Sequence, residues 1–117
     1  MSEQEIDPGR VAELLEGGEA QIVDVREQYE HDAGRIPGTR HVELVDLPAA
    51  ADSLDRERPV VFYCRSGERS AMAANAFRAS GWDAYTMTGG LIAWADAGRP
   101  LDPPDGTVAG RRPGPQT

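Results

Sequence analysis

One segment of the chain, residues 59–70, combines the residue types that a sulfur-based reaction needs. It is Pro-Val-Val-Phe-Tyr-Cys-Arg-Ser-Gly-Glu-Arg-Ser, and its Cys64 is the one cysteine among 117 residues. The apolar run before Cys64 predicts a buried strand, and the alanine-rich run from about Ser70 to Ser80 predicts a helix. Backbone N–H groups in a tight loop and the positive end of a helix favour an anion there. Because the thiolate is the nucleophilic form of cysteine, the segment predicts a cysteine nucleophile in a loop that also attracts an anionic substrate.

Composition limits the classes to which the protein can belong. The length suits one domain with one core, and 39% hydrophobic and 27% charged residues are ordinary for a globular protein. No stretch is long and apolar enough to span a membrane. The acidic residues 1–5 do not resemble a signal peptide. We therefore expect a cytoplasmic protein without a membrane partner. A net charge of -8 argues against nucleic acid as the partner. A lone cysteine excludes an internal disulfide and a cysteine-rich metal site; we expect no cofactor and a monomer.

The elements that must position Cys64 alternate between helices and strands. Asp7 followed by Pro8 is typical of a helix start, and Gly17-Gly18 ends that helix. The strands are apolar runs without polar alternation, which predicts a parallel sheet covered by helices on both faces. Ligand sites of such sheets lie beyond the carboxyl ends of the strands, where Cys64 falls. Predicted strands are 21–25, 41–42, 60–63 and 83–87, and further predicted helices are 27–31, 47–54 and 90–97.

The C-terminal part of the chain has a different composition. Residues 100–117 hold five of the nine prolines and few large apolar residues. This composition is typical of extended or disordered chain. We therefore predict a single domain over residues 1–101 and a flexible Pro/Gly-rich tail over residues 102–117.

Four segments, in order along the chain, resemble motifs of the rhodanese superfamily, and specifically of its single-domain sulfurtransferases. The resemblance covers about residues 5 to 101, and Arg35 departs from it because the family usually has histidine there. The segments are Val23-Asp24-Val25-Arg26-Glu27; Tyr29 to Gly38, with its Gly-Arg-Ile-Pro-Gly end; Tyr63 to Ser70; and Gly89-Gly90-Leu91-Ile92-Ala93-Trp94 with Gly98 and Pro100.

The resemblance implies a fold and a reaction. The fold would be a small rhodanese-like α/β domain, with a five-stranded, mostly parallel sheet and helices on both faces. In the reaction, the Cys64 thiolate would attack the outer sulfur of a donor such as thiosulfate and release sulfite. The resulting Cys64 persulfide would pass its sulfur to cyanide, a cellular thiol or a protein acceptor. This is covalent catalysis in two half-reactions, without a metal or organic cofactor.

Each residue of the loop after Cys64 has an expected part in this chemistry. Backbone N–H groups from residues 65–70 would stabilise the negative sulfur, and Gly67 would permit the tight turn. Arg65 and Arg69 would attract and orient a dianionic donor. Ser70 is expected to cap the following helix. Glu68 opposes anion binding, so we expect it to face solvent. The predicted substrate-binding set is Arg65, Ser66, Gly67, Glu68, Arg69 and Ser70.

Other polar residues near the site are predicted to be structural. Asp24 is expected to hold a loop or an arginine, and Arg26 and Glu30 to be ion-pair partners. His31 and His41 lie outside any catalytic motif.

Three alternatives stay open at this point. Cys64 could be a small buried core residue. A phosphatase or arsenate reductase also combines a thiolate with an arginine, but with one residue more between them than the four that separate Cys64 from Arg69. The domain could also be a persulfide relay or an interaction module with little turnover on free thiosulfate. The two loop arginines favour thiosulfate over mercaptopyruvate as the donor.

Overall fold

The computed structural model describes residues 4–110, which form one parallel five-stranded sheet with helices on both faces. The strand order is β1-β5-β4-β2-β3, and every neighbouring pair is parallel. The strands are β1 (Glu5–Ile6), β2 (Gln21–Asp24), β3 (Arg40–His41), β4 (Val60–Tyr63) and β5 (Ala84–Met87). The helices are α1 (Pro8–Glu16), α2 (Gln28–Ala33), α3 (Leu47–Ala50), α4 (Glu68–Ala79) and α5 (Gly90–Asp96). The predicted fold class is therefore confirmed.

The central strand β4 shows why the strands of this chain are uniformly apolar. All four of its residues are buried, because side chains of alternating direction meet helices on both sides of the sheet. Val61 and Tyr63 belong to the cluster that contains α1 and α5. Val60 and Phe62 belong to the cluster that contains α3 and α4. Side-chain packing on both faces of the sheet thus holds β4, the strand that immediately precedes Cys64.

The first helix begins and ends where the sequence predicts. The Asp7 carboxylate accepts a hydrogen bond from the Arg10 backbone N–H at 2.9 Å, and Pro8 is the first helical residue. The helix ends at Glu16, and Gly17 follows it. Val11 and Leu14, one turn apart, are the buried residues of the helix, and they pack against the sheet.

Two elements differ from the sequence prediction. Residues 5–6 form an edge strand that was not predicted, because two residues carry no periodic signal. The single helix predicted over 47–54 was wrong: α3 covers only Leu47–Ala50, between 3-10 turns at Leu44–Asp46 and Ala51–Ser53. Pro48 in the first turn restricts where a helix can begin, and only Leu47 and Leu54 of residues 47–54 are buried, so little packing holds a longer helix in place.

The first part of the predicted tail lies along α2 and the loop after it. Arg35 and Asp102 form an isolated antiparallel bridge, with N···O distances of 3.1 and 2.8 Å. The Thr107 N–H donates to the Ala33 carbonyl at 2.9 Å, and the Tyr29 hydroxyl donates to the Gly110 carbonyl at 3.0 Å. The remaining predicted tail, 111–117, lies outside the described residues. Within residues 4–110, none of the helices has the length and apolar character that crossing a membrane requires.

Candidate active site

Cys64 stands at the carboxyl end of β4, where the chain turns sharply into α4. The turn depends on Gly67, which has a φ of 117° and immediately precedes the first residue of α4. A side chain at that φ would strain the backbone, so glycine suits the position. Cys64 itself has no exposed surface and is not in a disulfide.

Backbone and hydroxyl groups surround the Cys64 sulfur. The Gly67 N–H donates to Sγ at 3.1 Å, and the Ser70 N–H does so at 3.4 Å. Ser70 Oγ lies 3.5 Å from Sγ and 2.6 Å from Thr86 Oγ1. The two backbone donors, Gly67 N–H and Ser70 N–H, come from the loop and the first turn of α4, where the helix dipole also favours negative charge. The arrangement can stabilise a thiolate at Sγ.

The prediction that Ser70 caps α4 was wrong. Gly67 occupies the N-cap position, and Ser70 is the third residue of the helix. The Ser70 hydroxyl instead donates back to the Gly67 carbonyl at 3.2 Å. Ser70 therefore acts on the sulfur and on the loop rather than on the free N–H groups of the helix.

The start of α5 holds the carbonyl side of the loop. Leu91 N–H donates to the Cys64 carbonyl at 2.8 Å, and Ile92 N–H donates to the Arg65 carbonyl at 3.0 Å. The approach is so close that a Cβ at Gly90 would lie 2.4 Å from the Arg65 carbonyl oxygen. The Gly89-Gly90 motif therefore allows one helix N-terminus to fix the backbone of the cysteine loop.

The two loop arginines have different surroundings. Arg69 forms a bidentate ion pair with Glu30, with N···O distances of 2.7 and 2.9 Å. Burial alone would raise the pKa of the fully buried Glu30, but the hydrogen bonds from Arg69 and the Glu27 N–H, together with the charges of Arg69 and Arg26, lower that pKa. The Glu30 carboxylate therefore neutralises the positive charge of Arg69. Arg65 has a buried Nε without a hydrogen-bond partner among the described residues, and no carboxylate there forms an ion pair with it.

A second buried ion pair lies at the carboxyl end of β2. Arg26 donates to both oxygens of Asp24, at 2.9 and 2.7 Å, and also to the Gly34 carbonyl at 2.8 Å. Burial would raise the pKa of Asp24, but the hydrogen bonds and charge of Arg26 outweigh it and lower that pKa. Arg26 and Asp24 have no exposed surface, so they tie β2 to the loop after α2.

The two histidines lie beside this pair. Their rings stack with centroids 4.3 Å apart. His31 Nδ1 lies 2.9 Å from Asp24 Oδ2, and His41 Nε2 lies 2.7 Å from the Arg26 carbonyl. Burial lowers the pKa of His31, aided by the His41 and Arg35 charges, and these effects outweigh the hydrogen bond and charge of Asp24, which raise it. No described contact joins either ring to the Cys64 sulfur.

A cleft of about 440 Å³ opens beside the loop, between α4, the end of β5 and the edge strand β1. Ser66 and Gly67 of the cysteine loop and Thr86 of β5 are among the residues that line it. Glu68 and Glu5 also line it, and both are exposed. Glu68 accepts a hydrogen bond from the Ser66 hydroxyl.

Thr86 and Gly90 contribute to the site although sequence reasoning assigned neither to it. Thr86 contacts the Ser70 hydroxyl from β5, and its signal is a polar residue within a buried strand. Gly90 was recognised as part of a motif, but its contact with the cysteine loop follows only from the fold. Within residues 4–110, no cluster of His, Cys, Asp and Glu side chains has three members placed to hold a metal.

The sequence and the fold are similar to those of known proteins. The model of the Rhodanese-like domain family matches residues 7–97. The chain is 33% identical over 101 residues to the YtwF protein of Bacillus subtilis, covering 86% of this chain and 98% of that protein. It is 38% identical over 95 residues to the thiosulfate sulfurtransferase GlpE of Pseudomonas paraeruginosa, covering 78% and 83%. The rhodanese-like domain of the Anabaena protein Alr3790 superimposes with a TM-score of 0.75 at 28% identity, covering 99% of this chain and 89% of that one.

Proposed function

The chain belongs to the rhodanese-like domain family, and from that premise we propose that it transfers sulfane sulfur through a persulfide on Cys64. The observation that carries the proposal is the pair of backbone N–H groups, from Gly67 and Ser70, that point at Sγ from 3.1 and 3.4 Å. Such fixed donors stabilise a negative sulfur before and after it has accepted another sulfur atom. Relatives named as sulfurtransferases support the same reaction type.

The proposed first half-reaction uses thiosulfate as the donor. The Cys64 thiolate attacks the outer sulfur of thiosulfate, a new S–S bond forms, and the old S–S bond breaks with its electron pair leaving on sulfite. In the second half-reaction, an acceptor nucleophile attacks the outer sulfur of the Cys64 persulfide. The Cys64–sulfur bond then breaks, and its electron pair restores the thiolate.

Two features of the loop bear on the choice of an anionic donor. Arg65 has no ion-pair partner in residues 4–110, so its charge is available to attract thiosulfate. Arg69, which the sequence also assigned to the donor, is engaged by Glu30 and is better described as a residue that positions the loop. Because Cys64 has no exposed surface, the donor reaches Sγ only after a small displacement of the loop at Ser66 or Gly67.

The proposal predicts a covalent adduct that can be weighed. The purified protein is incubated with excess thiosulfate and its intact mass is recorded, with Cys64→Ser as the control. We expect a gain of one sulfur atom that cyanide removes and that the Cys64→Ser variant does not show. A wild-type protein whose mass stays unchanged would contradict thiosulfate as the donor. The adduct appearing equally in the variant would contradict Cys64 as the carrier.

A persulfide relay between proteins is the second candidate function. The buried sulfur favours it, because burial slows the reaction with a free dianion. Steady-state turnover with thiosulfate and cyanide separates the two functions. An enzyme of small molecules turns over many times each minute, whereas a relay forms the persulfide and releases it slowly until a protein thiol is supplied.

A further inference from the structure

Two hydroxyl groups form a chain that leads from the Cys64 sulfur to β5. Ser70 Oγ lies 3.5 Å from Sγ, and Thr86 Oγ1 lies 2.6 Å from Ser70 Oγ. Cys64 and Ser70 have no exposed surface, and Thr86 is 6% exposed. The chain therefore lies in the protein interior, where a hydrogen bond is electrostatically stronger than in water and where neighbouring hydrogen bonds polarise one another.

The Ser70 hydroxyl has one proton and three neighbours that could accept it. They are the Cys64 sulfur, the Gly67 carbonyl at 3.2 Å and Thr86 Oγ1. If the proton goes to Gly67 or Thr86, Ser70 presents only lone pairs to the sulfur. Those lone pairs accept a bond from a thiol, but they repel a thiolate. The charge state of Cys64 that Ser70 favours therefore depends on the direction of this one proton.

Thr86 is placed to control that direction. Its backbone is held from both sides, because it pairs in register with Glu5 of β1 and Phe62 of β4. The separation of 2.6 Å between the two hydroxyl oxygens is at the short end of the usual range and permits either oxygen to be the donor. When Thr86 donates to Ser70 Oγ, the Ser70 proton cannot go to Thr86, and the polarised Ser70 hydroxyl becomes a stronger donor itself.

We propose that Thr86 is a positioning residue that directs the Ser70 proton to Sγ when Cys64 is a thiolate. No described contact joins Thr86 to the sulfur, so it acts through Ser70. The inference rests on the sulfurtransferase function proposed above, in which Cys64 is a thiolate twice. It is the attacking group in the first half-reaction and the leaving group in the second, and a proton directed at Sγ stabilises its charge in both.

The first test titrates the thiolate and needs no substrate. The ultraviolet absorbance of the thiolate is recorded against pH, and the absorbance of Cys64→Ser is subtracted. Thr86→Val removes the hydroxyl and keeps a side chain of nearly the same shape; Thr86→Ala takes its place if Thr86→Val does not fold. Because the thiolate loses its directed proton, we expect the midpoint of the titration to rise by about half a pH unit or more. Thr86→Ser, which restores a hydroxyl, should return the midpoint towards the wild type. An unchanged midpoint in Thr86→Val, or no recovery in Thr86→Ser, would overturn the proposal.

The second test asks whether Thr86 acts through Ser70. In the Ser70→Ala background, Thr86→Val should shift the midpoint no further, because the proton that Thr86 directs is absent. The same shift in both backgrounds would contradict the proposal, since Thr86 would then act on the sulfur by another route.

Thr39→Val is the matched control for the loss of a packed hydroxyl. Thr39 Oγ1 donates to the Ile36 carbonyl at 2.7 Å and lies 2.9 Å from the Tyr63 hydroxyl, in the cluster on the α1 and α5 side of the sheet. This variant should lower the free energy of unfolding and leave the midpoint of the titration where it is. A midpoint that rises as much as in Thr86→Val would show that the shift reports loosened packing.

The third test follows the reaction itself. The protein is loaded with thiosulfate, or with sodium polysulfide if thiosulfate gives no adduct, and the persulfide is discharged by cyanide. Thr86→Val should discharge about twofold or more slowly at every pH, because the leaving Cys64 thiolate is less stabilised, and Thr86→Ser should recover the rate. Equal rates in the wild type and Thr86→Val would overturn the role of Thr86 in the transfer. Failure to form any persulfide would count against the proposed function instead, while the titration still decides whether Thr86 directs the proton.

Discussion

At the scale of single residues, the two arginines of the cysteine loop have different surroundings. Arg65 and Arg69 are equivalent in the sequence, since both stand in the loop motif after Cys64. Within residues 4–110, Arg69 alone of the two meets a carboxylate, the buried Glu30, in bidentate geometry. The difference depends on α2, which lies far from the loop in sequence and brings Glu30 to it. We therefore propose that Arg65 supplies the charge that attracts the substrate, whereas Arg69 holds the loop through Glu30.

Substituting each arginine by methionine should separate these roles. Arg65→Met should lower kcat/KM for thiosulfate about tenfold, because a charge-assisted contact contributes about 1.5 kcal/mol or more. The same substitution should change the free energy of unfolding by less than about 0.5 kcal/mol. Arg69→Met should lower the free energy of unfolding by about 3 kcal/mol, because Glu30 is left buried without its partner. Urea unfolding and steady-state turnover measure the two effects.

Arg69→Lys serves as the control for charge alone. It keeps the positive charge but loses the bidentate geometry, so its loss of stability should be intermediate. If Arg69→Met keeps full stability and loses thiosulfate turnover, the assignment of the two arginines is reversed.

At the scale of elements, the loop is held between two helix starts. The first turn of α4 supplies N–H groups to the sulfur, and the first turn of α5 supplies N–H groups to the loop carbonyls. At Gly90 the backbone of α5 lies so close to the loop that a side chain would not fit. The position of the sulfur therefore depends on a residue that does not touch it.

Gly90→Ala should disturb both stability and chemistry. The φ at Gly90 is 62°, which costs about 1–2 kcal/mol for a side chain, and the new Cβ would lie 2.4 Å from the Arg65 carbonyl oxygen. We expect a loss of more than about 3 kcal/mol in the free energy of unfolding, together with slower persulfide formation in the mass assay, because the loop backbone must move.

Gly98→Ala provides the matched comparison. Its φ is 76°, but within residues 4–110 no atom beyond its own chain neighbours lies within 4 Å of the new Cβ. This variant should lose only the conformational cost of about 1–2 kcal/mol and should form the persulfide at the wild-type rate. Equal losses in the two variants would show that the close approach of α5 contributes nothing.

The elements also show what the sequence can and cannot predict. The limits of β4 and the start of α1 follow from local signals: a continuous apolar run, and an aspartate before a proline. The position of Cys64 follows from the rule for the carboxyl ends of parallel strands. Contacts between distant segments do not follow from such rules. The Arg69–Glu30 pair and the Thr86–Ser70 bond each join two elements whose relative placement only the folded sheet determines.

At the scale of the whole molecule, the boundary predicted at residue 101 is crossed by hydrogen bonds. Asp102 forms a bridge with Arg35, the residue at which the chain departs from the usual family motif, and their side chains form an ion pair at 3.3 Å. Leu101 and Val108 are partly buried against the core on the α1 and α5 face of the sheet. We therefore propose that the folded domain extends to about residue 110.

The extended domain can be tested by a thermodynamic cycle on Gly34 and the segment after Leu101. Gly34 has an extended φ that any residue adopts, but a Cβ there would lie 2.3 Å from the Thr107 carbonyl oxygen. Gly34→Ala should therefore displace the segment rather than strain the backbone. Removing residues 102–117 should lower the free energy of unfolding by about 2 kcal/mol, the net worth of a few hydrogen bonds. Gly34→Ala in the full chain should cost no more than that.

Non-additivity is the decisive outcome of this cycle. In the shortened chain Thr107 is absent, so Gly34→Ala should lower the free energy of unfolding by less than about 0.5 kcal/mol. The two changes together should therefore lower it by about as much as the truncation alone. Urea unfolding of the four proteins gives the free energy of unfolding at each corner of the cycle. Persulfide formation should be the same in all of them, because no described contact joins this segment to the Cys64 loop. Additive losses would mean that Gly34 is constrained by the α2 loop itself. A truncation without cost would return the boundary of the domain to residue 101.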